Sequence, residues 1–344
     1  MYKVALIGCG QMGEAHISQI YYKDTIQITY VCDSDLEKAR SFQKKYGALH
    51  AVTDYNECVT SGNADFVIIA TYPSTHFEII RKSIENGIHV LCEKPISATR
   101  EEGRACAEYI KLHPECKVLF GYILRHNDTY KKVAQLIADG AIGSPVIFRM
   151  VQNHHTMDWD RYLSLINESS PLVDCGVHYV DVMQWFTRSR ITRVHAIGVR
   201  TESDVPLDKY NYAFLTAQLA DGSIGYYEVG WGNTISSDNL KEFCGPKGRI
   251  RLVYRKDRQT HQEEGDLIEF YRFPEKKYEI INVQSQRKPT GAQFDYLIQM
   301  IETGCEAIPS IDEVINSSEI TMDADEQIIS MLRSSPLQEP AANI

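Results

Sequence analysis

Two short stretches of this 344-residue chain combine residue types that can move a proton. In VLCEKPIS, Val90 to Ser97, an apolar run that reads as a buried strand ends in Glu93, Lys94 and Pro95. A charged pair at a strand's mouth is costly unless solvent, a partner or a ligand meets it. An ammonium there stabilises a developing alkoxide, and desolvation can lower its pKa toward the working range. In LVDCGVHYVD, Asp174 and His178 stand four residues apart, on one face of a helix near its N-terminus. The aspartate can cap the helix or complement its dipole, and it can orient the imidazole. The positive end of a helix favours the neutral imidazole that a general base requires. Asp181 falls on the same face, but the spacing lacks any zinc-enzyme signature, so no metal is expected.

A nucleotide frame precedes these groups. IGCGQMG places Gly8, Gly10 and Gly13 directly after the first strand pattern, with Gln11 and Met12 completing the turn into a helix. Such glycines allow a tight turn, a close backbone approach to pyrophosphate and tight helix packing. The second strand pattern, IQITYVC, runs into Asp33, where a carboxylate can accept hydrogen bonds from both ribose hydroxyls. The same carboxylate would repel a 2′-phosphate and no arginine follows it, so NAD is expected rather than NADP. IIATYPSTH puts Ala70, Thr71, Tyr72 and His76 at the end of a later strand, where ligands of open α/β sheets bind. Together with Glu93 and Lys94, these are the expected cofactor contacts.

Around these motifs, short β-branched runs alternate with amphipathic ones as far as residue 121. That pattern implies a doubly wound parallel sheet covered on both faces. From residue 122 to about 334 the pattern changes to an α+β domain with a large, mostly antiparallel open sheet. Its strand-like runs include YNYAFLTAQLA and SIGYYEVGWG, with the hairpin signal Asp221-Gly222 between them. Two late helices follow, and the tail from about Ser334 reads as frayed. Residues 152–170 read as a loop of polar and aromatic residues, suited to a polyhydroxylated ring that is apolar on its C–H faces and polar at its rim. Asn153, His154 and Trp159 are its substrate candidates, joined by Tyr122 and Arg125 at the domain junction.

Composition removes several other classes. The formal charge is −10, with lysine and arginine scattered, so neither a nucleic-acid footprint nor a polybasic membrane patch is expected. No apolar run approaches the roughly 18 residues of a membrane span, and the first residues enter a strand pattern with no room for a signal peptide. Nine widely spaced cysteines without a Cys-x-x-Cys pair argue against a disulfide framework and for a reducing cytoplasm.

Taken in order, GCGQMG, ATYPSTH, CEKP and DCGVH resemble the Gfo/Idh/MocA oxidoreductases, the family of glucose-fructose oxidoreductase and inositol dehydrogenase. The resemblance extends to GPKGRIRL near Gly245 and Gly248, and departs from the usual pattern at Tyr72-Pro73 and at RHND from Arg125. It implies an N-terminal Rossmann domain and hydride transfer between a nicotinamide and a ring C–OH of a cyclic polyol, sugar or sugar derivative. By the same resemblance Lys94 contacts the substrate hydroxyl and the nicotinamide ribose. His178 takes the hydroxyl proton, and Asp174 and Lys94 position it; which of Lys94 and His178 is the base stays open. Two alternatives remain beside this reading: a relative whose bound nicotinamide cycles within one active site, and a cofactor-binding regulator without turnover. In relatives the second-domain sheet pairs with that of another subunit. A homodimer or tetramer is therefore expected through a face bearing Tyr212, Phe214, Tyr227 and Trp231.

Overall fold

The alternating apolar runs of the N-terminal third fold as a parallel sheet. The computed structural model describes residues 1–60, 62–156, 158–254 and 265–334. Its first unit comprises residues 1–126 and 287–316; its second comprises 127–286 and the chain from 317. In chain order the first unit contains β1 (Tyr2–Ile7), α1 (Gln11–Ile17), β2 (Ile26–Cys32), α2 (Leu36–Tyr46), β3 (His50–Val52), α3 (Tyr55–Cys58), β4 (Phe66–Ile69), α4 (His76–Glu85), β5 (His89–Cys92), α5 (Arg100–Leu112) and β6 (Val118–Phe120). All sheet pairings are parallel, in the order β3-β2-β1-β4-β5-β6. The order reverses direction between β1 and β4, the switch point at which sheets of this kind bind ligands. Val4, Ala5, Val67, Ile69, Val90 and Leu91 are fully buried, as expected of strands covered on both faces.

The second unit begins with α6 (Asp128–Ala138), β7 (Ile147–His155), α7 (Trp159–Glu168) and α8 (Pro171–Thr187). Then come β8 (Ile191–Val199), β9 (Tyr212–Leu219), β10 (Ile224–Gly232), β11 (Lys241–Gly245), β12 (Gly248–Val253), β13 (Asp266–Arg272) and β14 (Lys277–Val283). The eight strands run β14-β13-β12-β11-β7-β10-β9-β8, antiparallel except for the β7/β10 pair. The β9–β10 hairpin forms at the expected turn: Gly222 sits at φ +87° and the Asp221 carboxylate accepts from the amide and hydroxyl of Ser223. Helices α9 (Thr290–Thr303) and α10 (Ile311–Ser334) close the described chain. The tail expected to fray beyond Ser334 lies outside the described residues. Among those residues no helix is long and apolar enough to cross a membrane.

Three expectations need correction. The chain does not divide by a single cut after residue 121. Helix α9 returns to the first unit because Phe294, Leu297 and Met300 bury their apolar face in the same cluster as Val4, Leu6 and Phe66. Residues 152–170 are mostly not loop either. Asp158 caps α7 by accepting from the Arg161 amide, and Trp159, Tyr162, Leu163 and Ile166 recur at helical spacing to form a small cluster with Val205 and Trp231. Finally, the four aromatic residues assigned to one sheet face divide between two. Tyr212 and Phe214 share the open face with Glu228. Tyr227 stacks on Tyr179 of α8 at 4.5 Å and Trp231 meets Tyr162 of α7 at 5.3 Å, because successive strand residues point to opposite faces.

Candidate active site

In the first unit the glycines divide their labour. A Cβ on Gly8, at φ +99°, would lie 2.4 Å from the Ala70 carbonyl oxygen, and one on Gly13 would lie 2.0 Å from that of Gly8. Both positions therefore require glycine for packing. A Cβ on Gly10 would meet nothing within 4 Å, so this side of its backbone is open to a ligand. Asp33, just past β2, is aimed back at this turn: its Oδ2 accepts from the Cys9 amide at 2.9 Å and its Oδ1 from Asp35 at 3.0 Å.

Two buried histidines hold the neighbouring loops. His16 of α1 meets Glu93 directly, Nε2 to Oε1 at 2.6 Å, with both side chains nearly inaccessible. Gly121 makes room for this pair, since a Cβ there would come within 2.8 Å of the Glu93 carboxylate. The Lys94 amide donates to Glu93 Oε2 at 3.4 Å, which ties the half-buried lysine to the same carboxylate at the end of β5. His76, expected among the cofactor contacts, packs inside the first unit. It is fully buried, with Nδ1 2.9 Å from the Pro95 carbonyl and Nε2 3.2 Å from that of Thr71. A neutral ring donates to one of these, so His76 clamps the loop after β4 to the one after β5. Burial pushes its pKa down despite the two carbonyls. Thr71 and Thr75 share a 2.7 Å hydroxyl contact, and Tyr72 is 47% exposed beside them.

Tyr122 and Arg125, expected near substrate, each hold a contact within the first unit. Tyr122 is buried with its hydroxyl donating to Val314, and Arg125 is buried against Glu313 at 2.9 Å.

In the second unit α8 carries Asp174 and His178. Ser170 caps it by accepting from the Val173 amide, so the aspartate sits in the first turn rather than at the cap. Asp174 and His178 are half-exposed on a helix that otherwise buries Val173, Gly176, Val177, Val180 and Asp181. Gly176 lets the helix press on β10, since a Cβ would meet Leu172 at 3.1 Å and Tyr227 at 3.4 Å. Burial drives the Tyr227 hydroxyl well above its ordinary pKa, with Cys175, Tyr179 and Asp174 adding negative potential. Lys241 of β11 is wholly buried beneath this helix, its ammonium 4.5 Å from the Tyr179 ring and donating to Val151 and Asn239.

The remaining candidates separate. His154 lies beside Tyr162, ring centres 6.3 Å apart. Trp159 donates to Asp204 at 2.5 Å. Asn153 is on the opposite, open face, donating to Glu228 at 2.6 Å. Among the described residues no group of three His, Cys, Asp or Glu side chains could hold a metal ion.

Comparison with known proteins decides the affiliation. Residues 2–122 match a model described as "Oxidoreductase family, NAD-binding Rossmann fold", and residues 130–251 match "GFO/IDH/MocA C-terminal domain". The chain belongs to the GFO/IDH/MocA oxidoreductase family. Inositol 2-dehydrogenase of Rubrobacter xylanophilus is 23% identical over 72% of this chain and 70% of its own length. Scyllo-inositol dehydrogenase from Lactobacillus casei, solved with bound NAD(H) and scyllo-inositol, superposes with a TM-score of 0.76 at 20% identity, covering 96% of this chain and 98% of that one. KijD10, a 3-ketoreductase from Actinomadura kijaniata solved with NADP, gives 0.77 at 16% identity over 94% and 96%. Like the family, this chain is a nicotinamide-dependent oxidoreductase acting on CH–OH groups.

The first unit fits that cofactor. The open backbone at Gly10 and the Asp33 carboxylate turned toward it are what a pyrophosphate and a ribose diol need. Sequence reasoning missed His16, Gly121 and Lys241 as builders of these sites. His16, one turn beyond Gly13, could have been found as the polar residue on an otherwise packed helix face; Gly121 and Lys241 carried no local signal.

Proposed function

We propose that this oxidoreductase uses NAD to oxidise, or NADH to form, a ring C–OH of a cyclic polyol or sugar. When bound, the nicotinamide supplies the hydride acceptor or donor. Gly10, Asp33 and the Thr71–Tyr72 loop hold the cofactor, and Asp33 disfavours a 2′-phosphate. The His178 imidazole accepts the hydroxyl proton, Asp174 orients that ring, and the Lys94 ammonium stabilises the oxygen as negative charge develops. His154 and Trp159 contribute to substrate selection. The observation that carries this reading is α8 itself: in its N-terminal half the helix buries Val173, Gly176, Val177 and Val180 while an acid and a histidine, one turn apart, stay half-exposed. The names of the inositol dehydrogenase relatives support the substrate class.

We also assign the open face of the eight-stranded sheet to a homodimer contact. Its support is a group of exposed apolar residues, Ile197, Phe214 and Ile224, at a shallow depression of about 460 Å³ lined by Ile147, His195, Ile224 and Tyr226. Nine free cysteines favour a reducing, cytoplasmic setting. The test of the activity is appearance of reduced nicotinamide when purified protein and NAD meet inositols, aldoses and amino or acid sugars. Cofactor binding without turnover on any of them, in either direction, would overturn the dehydrogenase reading in favour of internal cofactor cycling or regulation.

A further inference from the structure

The glycine turn that receives the cofactor brings no positive side chain of its own: between Lys3 and Lys23 the chain has neither lysine nor arginine, and Glu14 lies inside α1. A cation approaches the start of α1 from a segment distant in sequence, meeting the Met12 side chain. The segment leading into α9 is fastened to α1 and the turn after it by three hydrogen bonds. Gln19 donates from its side-chain amide to the Lys288 carbonyl at 2.7 Å, Thr290 donates its hydroxyl to Ala15 at 2.6 Å, and the Gly291 amide donates to Gln19 at 2.8 Å. Gly291 permits the close approach, since a Cβ there would sit 3.1 Å from the Gln19 side-chain oxygen. With its backbone fixed in this way, Lys288 brings its ammonium 3.6 Å from the sulfur of Met12, two residues past Gly10 at the start of α1.

We infer that Lys288 is a cofactor-binding residue, its ammonium pairing with the pyrophosphate of the bound dinucleotide. This rests on the nicotinamide-binding assignment of the first unit and adds to it a residue 275 positions beyond Gly13. A pyrophosphate at that turn carries charge that the backbone amides alone neutralise only in part, and an ammonium is a compact point charge for phosphate oxygens. The position is exposed, so the contribution is moderate and screened by salt.

The test measures binding rather than turnover. Dissociation constants of the full-length protein for NADH, NADPH, ADP-ribose and adenosine are obtained by fluorescence and calorimetry at low and high salt, for wild type, Lys288→Ala and Lys288→Arg. The expected result is an affinity for NADH and ADP-ribose about 5-fold weaker in Lys288→Ala at low salt, with a smaller gap at high salt. Adenosine binding stays unchanged and Lys288→Arg recovers most of the loss. Equal constants in wild type and Lys288→Ala would overturn the inference, as would equal weakening for adenosine or a loss confined to NADPH, which would place the ammonium at the 2′-phosphate. Wild-type protein that binds neither NADH nor ADP-ribose would overturn the cofactor assignment along with it.

Discussion

In the first unit the loops around the cofactor turn are tied to one another by buried polar contacts: His16 to Glu93, His76 to Thr71 and Pro95, and Cys9 to Asp33. In the second, Asp174 and His178 ride on a helix seated by aromatic and aliphatic packing, through Phe148 and Phe243 on Phe186 and through Tyr227 on Tyr179. The contrast follows from the elements. Loops at the carboxyl edge of a parallel sheet have no regular hydrogen bonding to define them, so side chains must supply it. A long capped helix fixes the direction of its residues through its own backbone and tolerates substitution in the layer beneath.

The comparison can be broken at its chemical end first. Lys94→Ala and His178→Ala, one in each unit, are each expected to lower kcat by about 100- to 10,000-fold with NADH affinity largely kept for His178→Ala. Steady-state kinetics beside a binding titration checks this, and retained turnover in either variant would remove that residue from the reaction. Next in size is His16→Ala, which takes away a direct partner of a buried carboxylate. A stability loss of about 3 kcal/mol is expected by urea titration. Phe186→Leu beneath α8 is the matched case in the other unit. It keeps an apolar side chain of similar volume, and its expected cost is below about 1.5 kcal/mol. If the two costs came out reversed, the contrast between polar tethers and apolar seating would be wrong.

A pH series sharpens the same contrast. His76 is held below the ordinary histidine pKa by burial, and His89 shifts the same way through partial burial and the nearby Lys117. Above about pH 6.5, the unfolded-state value, both rings are neutral folded or unfolded and stability does not depend on them. As pH falls below it, the unfolded chain takes up protons that the folded chain refuses, and stability declines until the lowered folded pKa is passed. His76→Asn should flatten that decline, measured as the change in unfolding midpoint between pH 7.5 and 5.5. An unchanged slope would assign the pH dependence elsewhere. The smallest effect on the subunit itself is expected from Ile197→Asp on the open sheet face, within about 0.5 kcal/mol for an exposed position. Sedimentation should nevertheless show a smaller assembly, and an unchanged assembly would remove this face as the contact.

Much of this was legible in the sequence where a motif is local. The glycine turn, Asp33, the strand ending at Glu93 and Lys94, and the Asp174/His178 pair at helical spacing all depend on neighbours within a few residues. What was not legible depends on distant ones. His76 closes a loop motif and reads as a cofactor contact; only the approach of the Pro95 carbonyl makes it a clamp as well. Tyr227 and Phe214 are equally aromatic and equally strand-borne, and the face each one takes is set by the register of β9 against β10. Helix α7 is legible in principle: Trp159, Tyr162, Leu163 and Ile166 carry the helical period, but the polar residues interleaved with them also suit a loop.

The return of α9 to the first sheet bears on how the chain is made. Residues 1–126 leave the ribosome with Val4, Leu6 and Phe66 lacking the cover of Phe294, Leu297 and Met300, which arrives only after the whole 127–286 segment has been synthesised. At ordinary elongation rates that interval lasts on the order of ten seconds. Throughout it the nucleotide-binding half presents an unfinished apolar surface while the later unit is still being built. The newborn protein is thus exposed to holdase chaperones through its N-terminal half, and an early stop codon anywhere before α9 removes the cover for good.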